Sequence, residues 1–101
     1  MYEAIVDSTV EEELLSFVVR CTIDNGEECG EHVVDSFAHA VELLSEYPQR
    51  GVQRLADIPS SYRAIRFWKH KWLVYLIDEE SSKVYIDYLI DDRSNYGRLL
   101  K

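Results

Sequence analysis

Apolar and polar positions along the chain change their rhythm twice, and each change marks a boundary between elements. Tyr2 to Asp7 (YEAIVD) is a short apolar run containing β-branched residues, which predicts an opening strand. Ser8 or Thr9 then offers a helix N-cap, with Glu11 or Glu12 three residues on as its reciprocal partner. From there Val10, Leu14, Phe17, Val18 and Cys21 recur at three- and four-residue steps, the spacing of one helical stripe turned toward a core. Glu11, Glu12 and Glu13 sit where the helix dipole favours negative charge, and Asp24-Asn25-Gly26 is a turn signal that ends the helix.

A second helix is expected from about Glu27 to Tyr47, with Val33, Val34, Phe37, Val41 and Leu44 on one face. Pro48 and Gly51 stop it, and the short connection makes the two helices an antiparallel hairpin. The opposite stripe reads Glu28, His32, Asp35, His39, Glu42 and Glu46. His32, Asp35 and His39 have spacing that permits metal ligation from one face. A solvated polar stripe opposite an apolar one explains them as well, so no metal is expected.

Beyond the loop GVQRLADIPSS the period becomes strand-like. Tyr62 to Trp68, Trp72 to Asp78 and Lys83 to Ile90 are rich in Tyr, Trp, Val and Ile, separated by Lys69-His70-Lys71 and by Glu79-Glu80-Ser81-Ser82. Connections this short join antiparallel neighbours. The reading is therefore a single α+β domain over residues 1–101, in the order β-α-α-β-β-β, with the helical hairpin packed on a small antiparallel sheet.

Composition adds limits to this picture. The 101 residues, 47% apolar and 30% charged, match one folded domain with one core. No run of about 18 apolar residues is present to span a bilayer, and the acidic N-terminus is unlike a basic signal peptide, so a cytoplasmic location without membrane association is expected. Cys21 and Cys29 straddle the turn signal but make no disulfide framework, and are read as free thiols. The net charge of −8 disfavours nucleic acid, yet it is unevenly spread. Residues 1–47 hold twelve acids and one base, Arg20, whereas residues 48–101 hold ten bases and seven acids.

Two segments of the tail carry a family likeness. The stretch WLVYLIDEESSKVYI looks like the central hairpin of the RelE/ParE toxin superfamily, and IDDRSNYGRLL matches the spacing of its closing segment. Together with the helical hairpin, Pro48-Gly51 and a basic first meander strand, the whole chain order resembles that superfamily. The resemblance implies a toxin of a type II toxin-antitoxin pair, used in plasmid stabilisation and neutralised by a cognate antitoxin. It also implies one of two mechanisms, inhibition of DNA gyrase as in ParE-like members or cleavage of ribosome-bound mRNA as in RelE-like members. An inactive interaction module of the same fold is the third reading.

Metal-free RNA cleavage must deprotonate a 2′-hydroxyl, stabilise charge on the phosphate and protonate the leaving oxygen, so cations are required and no cofactor is. Carried over from the RelE-like pattern, the first-strand bases fall at Arg63, with Arg66 as a shifted substitute, and the tail tyrosine at Tyr96. The arginine that opens the next strand falls at Trp72, and the catalytic arginine of the tail falls at Asp91, leaving Arg93 as the nearby base. His70 is suited to acid-base work near neutral pH, and Lys69, Lys71 and Arg98 are candidate nucleic-acid contacts. Trp68, Trp72 and Tyr62 are suited to stacking bases, or to packing in a core. The ParE-like ending, a spaced arginine, a second base and a leucine, is met by Arg93, Arg98 and Leu100 and needs no catalytic group.

Overall fold

The computed structural model describes residues 1–51, 59 and 61–94. Its elements are β1 (Glu3–Val6), α1 (Ser8–Asn25), α2 (Glu27–Glu46), a single 3-10 turn (Pro48–Arg50), β2 (Arg63–Trp68), β3 (Lys71–Asp78) and β4 (Lys83–Asp91). This is the β-α-α-β-β-β order expected from the periodicities.

The strand-to-helix junction is tighter than the sequence pattern implies. The Asp7 N–H donates to the Ile86 carbonyl at 2.9 Å, which ends β1. Its own carbonyl accepts from Val10 and Glu11, so Asp7 rather than Ser8 or Thr9 is the N-cap. The Asp7 carboxylate accepts from the Thr9 hydroxyl at 2.6 Å and caps no backbone N–H. At the far end of α1 only Gly26 separates the helices, with φ of 95°, a region side chains rarely tolerate.

The sheet has the strand order β1-β4-β3-β2 and is mixed, not antiparallel throughout. β2–β3 and β3–β4 are antiparallel hairpins, but β1 lies parallel to β4, with Glu3 opposite Lys83 and Val6 opposite Ile86. The helices explain the direction. α2 returns the chain to the end where β1 starts, where the Tyr2 N–H donates to the Ser45 carbonyl at 2.8 Å. β2 then runs the same way as β1, and two antiparallel reversals leave β4 running that way too.

Two register shifts re-aim side chains. Between Val74 and Tyr75 the pairing moves from Tyr88 to Ile86, leaving Asp87 as an extra residue on β4. Between Arg66 and Trp68 a second shift lets neighbours Phe67 and Trp68 both join the helix-side core. That core joins Val10, Cys21, Val33, Ala40 and Leu44 of the helices to Phe67, Leu73, Tyr75, Val84, Ile86 and Leu89 of the sheet. Fully burying each large member stabilises the fold by roughly 1.5–3 kcal/mol. A smaller cluster, Ala64, Val74 and Ile90 with Tyr62, Trp72 and Tyr88 around it, comes from the alternate residues of the same strands.

Candidate functional site

Basic residues of the meander, Lys83 aside, fall into three separate settings. Arg63 opens β2 and donates through Nη1 to the carbonyls of Gln49 (3.2 Å) and Gly51 (3.1 Å). Beside it the fully buried Tyr75 hydroxyl donates to the Pro48 carbonyl and accepts the Gly51 N–H at 3.0 Å. Burial, the largest influence, raises the Tyr75 pKa and keeps the phenol neutral. A side chain at Gly51 would meet the Tyr75 oxygen at 2.1 Å, so glycine is required by this close approach. Arg63 is thus occupied in fixing the chain between α2 and β2. Arg66 is exposed, with its guanidinium 5.9 Å from the Trp72 ring centroid.

The third setting gathers the rest. The turn after β2 carries Lys69 and His70, β3 begins with Lys71, and Arg93 follows β4. All four line one cavity of about 400 Å³, closed by Phe17, Cys21 and Asn25 of α1, Cys29 of α2 and Trp68. The register brings this about, because Lys71 stands opposite Asp91 and the Asp92 N–H donates to the His70 carbonyl at 2.9 Å. Tyr96 and Arg98 lie outside the described residues.

Two carboxylates, Asp91 and Asp92, organise this end. Asp91 accepts from Arg93 through Nε at 3.0 Å and Nη2 at 2.8 Å, and from the Arg93 N–H at 2.9 Å. Lys71 Nζ lies 3.2 Å from the same carboxylate and 4.5 Å from the Phe17 ring centroid. The Arg93 guanidinium foremost, aided by that backbone N–H and Lys71, holds the Asp91 carboxyl well below the usual range. Asp92 bridges two aromatic donors, with Oδ2 accepting from Trp72 Nε1 at 3.0 Å and Oδ1 lying 3.0 Å from His70 Nδ1. The Trp72 bond foremost, and then His70, lowers the Asp92 carboxyl.

Electrostatics decides what such a site can hold. A phosphate entering the cavity must compete with Asp91 for both Lys71 and Arg93, which are already within ion-pair distance of it. His70 meets the geometric condition for an oriented base, since a carboxylate fixes one ring nitrogen and leaves Nε2 for other work. Neither cysteine forms a disulfide, and burial raises the Cys21 thiol pKa, with the Cys29 thiol as hydrogen-bond partner adding to the shift. A protonated thiol is a poor nucleophile.

On α2 the polar stripe of Glu28, His32, Asp35, His39, Glu42 and Glu46 is exposed throughout. Among the described residues no three His, Cys, Asp or Glu side chains converge as a metal-binding group, and no helix is long and apolar enough to cross a membrane. What the sequence reading missed are the contacts of Asp92 with His70 and with Trp72. Their signal was the short turn that sets the ends of β3 and β4 side by side. No protein-family model and no curated protein matches the chain.

Proposed function

We infer that this chain is a toxin of the RelE/ParE kind that arrests growth by binding an essential target, as ParE-like members bind DNA gyrase, and that a cognate antitoxin neutralises it. The β-α-α-β-β-β order and the tail motifs support the family part of this reading. One observation favours binding over cleavage: Lys71 and Arg93, cations that an RNA-cleaving site would turn on a phosphate, are both engaged by Asp91. Arg63 is likewise committed to the backbone carbonyls of Gln49 and Gly51. Target binding of the ParE type requires no base and no free phosphate cradle.

A second reading, ribonuclease action, draws on His70, whose contact with Asp92 gives it the orientation a general base needs. Induction of the chain in bacteria separates the two. Growth arrest with a DNA-damage response and intact transcripts is the expected result. Arrest with transcripts cut within codons, abolished by His70→Ala, establishes the ribonuclease instead, and unimpaired growth overturns both.

A further inference from the structure

The outward side of the helical hairpin carries an apolar stripe that the domain does not use. Leu15, Val19 and Ile23 follow one another at four-residue steps on α1 and are 65%, 49% and 77% exposed. On α2, Val34 is 44% exposed. The hairpin already supplies the core from its other side, through Val10, Cys21, Val33, Ala40 and Leu44. Between the two helices runs a groove of about 330 Å³, with Val18, Thr22, Gly30 and Val34 in its lining. Contiguous exposed apolar surface of this kind marks an interaction site more often than isolated exposed side chains do.

Charge identifies the partner. Glu27, Glu31 and Asp35 also line the groove, again at four-residue steps, and form an acidic row along its α2 side. Among the described residues, every ion pair is made by His70, Lys71 or Arg93 with Asp91 or Asp92, so none involves this row. We propose that the groove between α1 and α2 receives an amphipathic, basic helix of a partner protein. Its apolar side lies on Leu15, Val19, Ile23 and Val34, and its Lys and Arg residues face Glu27, Glu31 and Asp35.

A helix suits the surface because the groove is walled by two helices, whose backbone groups are internally bonded and offer no edge to an added strand. A second copy of the chain is a poor occupant, since residues 1–47 hold twelve acids against one base and would meet the same charge. An anionic bilayer is repelled for the same reason. The proposal is argued from the surface of the helical hairpin alone and does not depend on the toxin reading.

Two synthetic peptides of about 18 residues, five helical turns, provide the test. Both carry leucine at helical three- and four-residue spacing; one has lysine at every other position and the second has glutamate. Titrated into the full chain, the lysine peptide is expected to bind saturably at one per chain, and the glutamate peptide at least about tenfold more weakly. Val19→Asp and Ile23→Asp, at exposed positions and with circular dichroism checked to match the wild type, should each weaken the lysine peptide about tenfold or more. Reversing the row with Glu31→Lys and Asp35→Lys should transfer the preference to the glutamate peptide. Equal lysine-peptide affinity in the wild type and Val19→Asp overturns the proposal, leaving bulk charge attraction as the cause. So does failure of both peptides to bind, and so does a dimer in sedimentation that Ile23→Asp dissociates, which makes a second copy the occupant.

Discussion

The two ends of the sheet use similar residues in opposite ways. Where β2 begins, Arg63 and the buried Tyr75 hydroxyl spend their hydrogen bonds on backbone groups of residues 48–51. At the opposite end, Lys71, His70, Arg93 and Trp72 are matched to the side chains of Asp91 and Asp92. The partners of the Tyr75 hydroxyl are buried and cannot be replaced by water, so at its centre the first end is rigid and structural. The side-chain pairs of the second end reach the surface through His70 and Arg93, 48% and 66% exposed, and each contributes little to stability.

The sharpest way to break this contrast is Tyr75→Phe, which strips one oxygen from the rigid end. With the Gly51 N–H and the Pro48 carbonyl left unpaired, a loss of about 1–3 kcal/mol in denaturant unfolding is expected. A loss no larger than that of a surface variant would show that water enters there and that the two ends do not differ.

Asp91→Asn tests the other end, and should cost roughly 1 kcal/mol because the pairs are partly exposed. The folded carboxyl is held below its unfolded value, so its stabilisation is complete above that unfolded pKa, about 4, and is lost as the pH falls through the folded value. The stability difference between wild type and Asp91→Asn should therefore be flat from about pH 5 to 7 and shrink at lower pH. A difference that grows on acidification would contradict the pairing. The smallest effect is expected for His70→Ala, within about 0.5 kcal/mol, since the ring is exposed and its partner Asp92 keeps the Trp72 bond.

Local chemistry made much of the fold legible. The three- and four-residue recurrences of Val10, Phe17 and Cys21, the glycine at 26 and the apolar run from Trp72 to Asp78 are short-range signals, and the elements fall where those signals point. The parallel place of β1 was not legible, because nothing near Glu3 specifies a partner at Lys83. The same holds at the site. Lys69-His70-Lys71 announces itself as a basic turn, and its residues do share a cavity. What neutralises them depends on cross-strand register and on the extra residue Asp87, which no periodicity encodes. Arg63 shows the converse, a residue that looks like strand chemistry in sequence and is tied to the loop by backbone carbonyls visible only in three dimensions.

The pairing of β1 with β4 also governs when the molecule comes into being. Glu3 to Val6 leave the ribosome well ahead of Lys83 to Ile86 and must wait for them before they gain a neighbouring strand. Loop closure over that separation slows folding, and the wait lasts several seconds at about 5–20 residues per second of synthesis. During that interval the hairpin can form, with its helical contacts all local, while the sheet cannot close. The sheet, and any activity that depends on it, therefore comes into being only once β4 has been made.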